Sequence, residues 1–460
     1  MIQLSQENRE EILKNIEVGN IDSAGVSFPN FIDTILIKIK DMGLIDKISN
    51  SFEDKRKGNL KLPLSILIAL AIAAKMKLKT ALTDVPYAIT DAEALSKFGW
   101  NIWDTERNLE DGLFAEGVMR NYIKKYESEE FIQYYNTYVN EEVLETLEER
   151  PNIHILDCTK IAVNLDNDNF ENSEVIKIDG VVTRGYKLGT LRGLYKDTGI
   201  IEEITFGGIK THDMELCRNM LKNTPHFKEG DILINDRGFI CRDMINYLKI
   251  LKGVDTYIPA KKNMIIHSEA VCLAKAEGKW TKHPNKKRKS QKIQLIRNLG
   301  SMWESDDTEH DVDICACVVW DEKDDEYYTF LTTDTQKTAS QIISTYELRP
   351  EIEEDYRQIK DFWKLEDFKS TQYNFISFHI VMTLMGYLFY QIYTTTDEGS
   401  KFSGKSLPVI VKNYIVNKPK SIVIYVGCYF GIFTFFEFIQ LYAGLDTSVR
   451  TQLDSVLKLL

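Results

Sequence analysis

The segment Tyr346-Glu347-Leu348-Arg349-Pro350-Glu351-Ile352-Glu353-Glu354-Asp355-Tyr356-Arg357-Gln358-Ile359-Lys360 governs the reading of this chain. On a helix turning about 100° per residue from Tyr346, Arg349 falls at about −60°, Glu353 at about −20° and Lys360 at about −40°. Leu348, Ile352, Ile359 and Trp363 gather at roughly 200–260°, on the opposite side. One face then packs on a core, and the other carries an aromatic ring, two cations and one carboxylate. Glu351, Glu354 and Asp355 point elsewhere, which singles out Glu353. The same pattern also suits a solvated amphipathic face laced with ion pairs. Pro350 is the irregularity: its ring clashes with the carbonyl of Tyr346, and a kink is expected there.

Upstream, two aspartates stand at the ends of apolar runs. Ile153-His154-Ile155-Leu156 reads as a short strand entering Asp157, and Asp231-Ile232-Leu233-Ile234-Asn235 as another ending at Asp236. Phosphodiester cleavage needs two divalent ions roughly 3.5–4 Å apart, gripping the attacking and leaving oxygens. Mg²⁺ takes a few carboxylates and keeps other positions for water and phosphate. Strand ends hold such side chains rigidly. An aspartate after a strand equally well begins a turn or caps a helix, and Gly238 suits a tight turn under either reading.

Around these residues the texture changes twice. Residues 1 to about 150 read as helical, over 30–42, 64–76 and 109–148 with a break near Ser128. The run 62–74 (LPLSILIALAIAA) is apolar all round and is expected to be buried. After Pro151 come strands: 153–156, 184–195 and 199–206, the last two joined by a turn at Lys196-Asp197-Thr198-Gly199. A helix over 212–223, the strand before Asp236, a helix over 240–251 and a strand over 254–259 follow. Residues 261–310 are irregular and charged, 312–320 and 327–332 form a hairpin, and Thr338 with Gln341 opens the next helix as a capping box. Such an order fits an α/β core of the RNase H-like type interrupted by a β-rich insertion.

Composition bounds the rest. The 460 residues allow two to four domains, with 43% hydrophobic and 27% charged residues as in soluble globular proteins. A net charge of −12 speaks against strong non-specific attraction to DNA, although a local basic stripe can dominate binding. Such a stripe exists: Lys282, Lys286, Lys287, Arg288, Lys289 and Lys292 fall within one acid-free stretch. It is read either as a solvated loop or as a DNA contact. The cysteines at 158, 217, 241, 272, 315, 317 and 428 lack zinc spacing and read as reduced cytosolic thiols; alternation puts Cys315 and Cys317 on one strand face. The polar N-terminus shows no signal peptide. Phe375–Tyr393 and Ile422–Leu441 are long enough to span a bilayer, but buried core helices explain them more simply.

Asp157-Cys-Thr, Asp236-Arg-Gly-Phe239 and the spacing Tyr346-x2-Arg349-x3-Glu353-x6-Lys360 together resemble the DDE transposases of bacterial insertion sequences that carry a Tyr-Arg-Glu-Lys motif. The likeness covers about 155–395. It implies an RNase H-like catalytic core, two Mg²⁺ ions (Mn²⁺ as substitute), and cut-and-paste transposition in the cytoplasm. Asp157, Asp236 and Glu353 would hold the metal. Tyr346, Arg349 and Lys360 would contact DNA phosphates, with Arg237 and Lys286, Lys287, Arg288 and Lys289 as further DNA-binding candidates. Partners would be transposon inverted repeats, target DNA and a second copy of the chain, with no membrane. Trp280 or Trp303 would stack on a flipped base or pack in the core. Pro350 departs from the family's usual large residue, as does the acidic net charge.

The expected organisation is an all-α N-terminal region over 1–150 as a candidate DNA-end binder and a core over 151–260. A β insertion over 261–335, the remaining core over 336–395 and an all-α C-terminal region over 396–460 complete it. The alternatives are a domesticated or inactive transposase-derived DNA-binding protein, an RNase H-like nuclease, and a membrane protein built on the two long apolar stretches.

Overall fold

A computed structural model of the chain describes residues 4–57, 62–100, 112–178, 180–196, 198–299, 312–414 and 419–457. Two units emerge: Val139–Arg357, and Met1–Tyr138 together with Gln358–Leu460.

The Val139–Arg357 unit is built on one mixed sheet. Its strands are β1 (Ile153–Val163), β2 (Glu174–Ile178), β3 (Val181–Tyr195), β4 (Thr198–Gly208), β5 (Ile232–Asn235), β6 (Asp255–Pro259), β7 (Thr281–Lys282), β8 (Gln291–Ile296), β9 (Cys315–Asp321) and β10 (Glu326–Thr332). They lie in the order β2-β3-β1-β5-β6-β10-β9-β8-β7, with β4 also paired to β3. The centre is parallel: Leu156 of β1 faces Asn235 of β5, and Ile234 of β5 faces Tyr257 of β6. Strands buried on both faces need continuous apolar runs, which explains Ile232-Leu233-Ile234. At the β3–β4 turn Lys196 takes φ 51°, the left-handed conformation that two-residue hairpin turns favour.

Side-chain alternation then divides the sheet into two cores. Leu156, Leu233 and Ile258 face α1 (Asp213–Asn223), α2 (Arg242–Tyr247) and α3 (Ile265–Glu277). Ile155, Ile234, Tyr257, Cys315 and Cys317 face α4 (Ala339–Tyr346) and α5 (Pro350–Arg357). Asp157 and Asp236 share the parity of Ile155 and Ile234, so the pleat aims both at the α4–α5 face.

Several expectations change. β1 does not stop at Asp157 but runs to Val163, paired along β3. The segment 261–335 extends the central sheet, because β10 docks antiparallel on the edge of β6. Tyr346 to Lys360 is not one helix: α4 ends at Tyr346, α5 begins at Pro350, and a π-helical turn covers Gln358–Phe362. Proline lacks an N–H and blocks a continuing helix, yet it fits a first helical position well. The expected start of a helix near 109 lies outside the described residues.

In the other unit, Leu64–Met76 is buried along its whole length, as its all-round apolar sequence requires. Tyr373–Thr395 is long and apolar enough to cross a membrane, but its most apolar window is 94% buried in the fold. The flanking regions are not all-α. Gln6–Glu7, Tyr429–Thr434, Ser421–Val426 and Ser23–Ser27 form a four-stranded sheet in that order. Ile422–Leu441 is therefore a hairpin followed by a helix, turned at Gly427 with φ 57°.

Candidate active site

Three carboxylates from three elements converge on one guanidinium. Arg349, in the turn between α4 and α5, sends Nη2 to Asp157 Oδ2 at 2.9 Å and towards Asp236 Oδ2 at 3.9 Å. Its Nη1 donates to Glu353, one turn along α5. Side-chain exposure rises from 12% at Asp157 to 40% at Asp236 and 56% at Glu353, so the cluster is closed on the strand side and open on the helix side. Burial pushes the Asp157 carboxyl up to about 6, and the neighbouring carboxylates add to the rise while Arg349 opposes it. Burial works against the Arg349 charge, but the surrounding carboxylates hold its pKa above the usual value.

Backbone contacts orient both aspartates. The Cys158 N–H donates to Asp157 Oδ1 at 2.8 Å, and the Arg237 N–H to Asp236 Oδ1 at 2.7 Å. Asp236 also opens the 3₁₀ turn Arg237–Phe239, so it combines helix capping with its place in the cluster.

The helix that carries Glu353 is anchored by residues the sequence pattern did not single out. The Tyr356 hydroxyl donates to the Asp157 carbonyl at 2.7 Å; since that carbonyl only accepts, Thr190 donates to Tyr356 at 2.6 Å. Buried Arg192 of β3 pairs with Asp355 at 2.6 Å and Glu351 at 3.0 Å. Two of the four acidic residues on α5 thus fasten the helix. A third, Glu354, pairs with Arg357. An arginine set between Leu191 and Leu194, in a strand otherwise patterned for burial, was the available sign of this anchor.

Tyr346 packs on Phe330, ring centroids 4.7 Å apart, beside a cleft of about 540 Å³ that Arg349, Arg288 and His283 also line. Arg288 is tied by its Nε to Glu347 at 2.8 Å, and Lys292 to Glu322 at 2.6 Å. Lys286, Lys287, Lys289 and Arg237 are exposed and have no ion-pair partner among the described residues. Lys360 belongs to the other unit and pairs with Glu366 at 3.6 Å. Trp280 packs against Trp320 and Tyr327 beside the core; Trp303 lies outside the described residues.

Residues 194–389 match the family model of the transposase DDE domain. No curated protein matches the chain. The DDE-domain match supports a transposase-type function on DNA and implies an RNase H-like α/β core, with which the mixed sheet is consistent. It spans Asp236, Arg349 and Glu353 and leaves Asp157 outside. Proteins with this domain generally use divalent metal ions. The donor chemistry here suits such ions: three carboxylates, hard oxygen donors on strand and helix, are gathered about a positive charge. As they stand, no three Asp, Glu, His or Cys side chains among the described residues form a group set to hold a metal ion. Arg349 separates the carboxylates.

Proposed function

We propose that the chain is a DDE DNA transposase of the insertion-sequence group with the Tyr-Arg-Glu-Lys motif. On this reading Asp157, Asp236 and Glu353 bind two Mg²⁺ ions. It cuts at transposon ends and joins the freed 3′-hydroxyl to target DNA, acting as a dimer on inverted repeats. The observation that carries this reading is the convergence of Asp157, Asp236 and Glu353, from neighbouring parallel strands and the covering helix, on Arg349.

When bound, the divalent ions supply charge neutralisation at the attacking and leaving oxygens. The protein's own groups do the positioning. The β1–β5 pairing fixes the two aspartates, and the Tyr356 and Arg192 anchors fix Glu353. Metal loading requires Arg349 to release at least one carboxylate, which frees its planar fork for a phosphate oxygen. Tyr346, close to Arg349 in sequence, and Arg237, next to Asp236, are further candidates for contacting the backbone, together with the exposed lysines 286, 287 and 289; Lys360 is a separate phosphate-contact candidate on its own unit.

The test is cleavage of DNA carrying the transposon end in Mg²⁺. Asp157→Asn, Asp236→Asn and Glu353→Gln should each abolish cleavage while leaving folding and end binding largely intact. A variant that cuts at near wild-type rate removes its residue from the site.

A further inference from the structure

Within the Met1–Tyr138 and Gln358–Leu460 unit, a cavity of about 400 Å³ is lined by four cations and no carboxylate. That is a strong local inversion in a chain with 69 acidic and 57 basic residues. Lys75 is the unusual member. It sits in the last turn of Leu64–Met76, is only 3% exposed, and makes no ion pair among the described residues. Its ammonium donates to the Thr80 carbonyl at 3.0 Å and to His379 Nδ1 at 3.1 Å. The Lys364 carbonyl at 3.2 Å takes the other imidazole N–H, so His379 is neutral and offers no compensating charge. An ammonium has three protons to donate, and only two are engaged.

A buried charge with no carboxylate in direct contact is costly, and the helix C-terminus beside Lys75, with Asp367 and Asp84 acting from beyond contact distance, offsets only part of that cost. Burial accordingly draws the Lys75 pKa down to about 8, which still leaves it mostly charged at neutral pH. Arg120 and Lys124 project on the exposed side of the same cavity, also without ion-pair partners among the described residues. Lys369 is partly engaged by Asp367 at 2.6 Å. Hydroxyls of Thr83 and Ser370 add neutral donors to the wall.

We propose that this cavity binds a phosphate group, with Lys75 as the buried counter-charge and Arg120 and Lys124 as the outer contacts. The phosphate belongs either to a nucleic-acid backbone or to a free phosphate compound; both present the same oxygens to the same donors. The proposal goes beyond the transposase reading, and its test requires no DNA cleavage.

Thermal unfolding of the full chain in inorganic phosphate, against chloride at matched ionic strength, reads the site directly. Phosphate well above its dissociation constant should raise the wild-type Tm by roughly 2–4 °C. General stabilisation by phosphate acts on every variant, so the comparison is with Arg120→Ala/Lys124→Ala and with Lys75→Met. Both should lose the extra shift. Lys75→Met, which removes a buried charge that no carboxylate contacts, should be at least as stable as wild type in chloride; if it fails to fold, the outer double variant carries the test. A second arm titrates random-sequence duplex against salt. A slope lowered by up to about 1.8 in the double variant, at about 0.9 per phosphate, assigns the site to the DNA backbone. An unchanged slope with the phosphate shift intact in wild type assigns it to a free phosphate compound. Equal phosphate shifts in wild type and both variants overturn the proposal. Glu353→Gln should keep the shift even if it never cleaves, so failure of the transposase reading is separately visible.

Discussion

At the scale of single residues, Arg349 holds together groups that would otherwise repel. Asp157 is nearly buried, and without a neighbouring cation its charge, with those of Asp236 and Glu353, stands uncompensated. Breaking a fully buried pair costs about 3–5 kcal/mol. Here Asp236 and Glu353 keep contact with solvent, so Arg349→Ala should lose a smaller amount, about 1–3 kcal/mol in metal-free buffer. Mg²⁺ should restore most of that loss and bind at least as tightly as to wild type, while end binding or later steps weaken. Denaturant unfolding with and without MgCl₂ checks both parts. Metal binding lost in proportion to DNA binding would show that Arg349 serves the metal rather than the phosphate.

Two elements make predictions of their own. On β4 the register slips opposite Leu191 and Arg192, so Glu202 is a bulged extra residue and both Glu202 and Glu203 are buried. His154 of β1 lies against Glu202 at 2.7 Å and Asp231 at 3.5 Å, and Arg150 grips Asp231 at 2.7 Å. Burial opposes the His154 charge, but these carboxylates overcome it and raise the pKa to about 9. A raised histidine contributes stability that is complete below about pH 6.5 and lost as pH climbs through 9; this amounts to about 3 kcal/mol. Burial also raises Glu203 to about 7, so the folded protein keeps a proton that the unfolded chain releases above about 4.5. Stability should therefore fall across the whole interval, and His154→Gln should flatten its upper part. Urea unfolding at several pH values would show this, and an unchanged upper limb in the variant would contradict it. The turn between β7 and β8 carries the second prediction. Since Arg288 is held by Glu347, only Lys286, Lys287 and Lys289 remain to meet phosphate. Replacing those three with alanine should lower the salt slope of DNA affinity by up to about 2.7, equally for specific and random sequences. An intact slope would assign the turn to solvent.

For the whole molecule, the apolar helix Tyr373–Thr395 decides between core and membrane. Its polar members Ser377, His379, Thr383 and Gln391 are buried with the rest, and Ser377 contacts Ser128 while His379 meets Lys75. A helix with internal polar partners on several sides is a core helix of its unit. Expressed protein should accordingly stay in the supernatant after high-speed centrifugation without detergent. Recovery only from detergent-treated membranes would reverse this.

Local pattern in the sequence was enough for whatever depends on neighbours along the chain. The apolar runs 153–156 and 232–235, the buried helix around 64–76, the Thr338–Gln341 capping box and the spacing from Tyr346 to Glu353 are set within a few turns or pleats. Pairings between distant segments were not legible in this way. Ser23–Ser27 meets Ser421–Tyr425 across almost the full chain, so local pattern in the flanks reads as helical although they contribute a sheet. β10 reached the edge of β6 for the same reason, and what reads as an insertion supplied four of the ten strands of the central sheet. The candidate site divides along the same line. Alternation from Ile155 and Ile234 gives each aspartate its face, and an i to i+4 step links Arg349 to Glu353. That these faces meet, with Arg349 among the three carboxylates and Tyr356 and Arg192 anchoring the helix, was decided by packing between elements. No periodicity encodes a contact whose partners are separated by well over a hundred residues, because their proximity arises only when the sheet and its covering helix bury their apolar faces together.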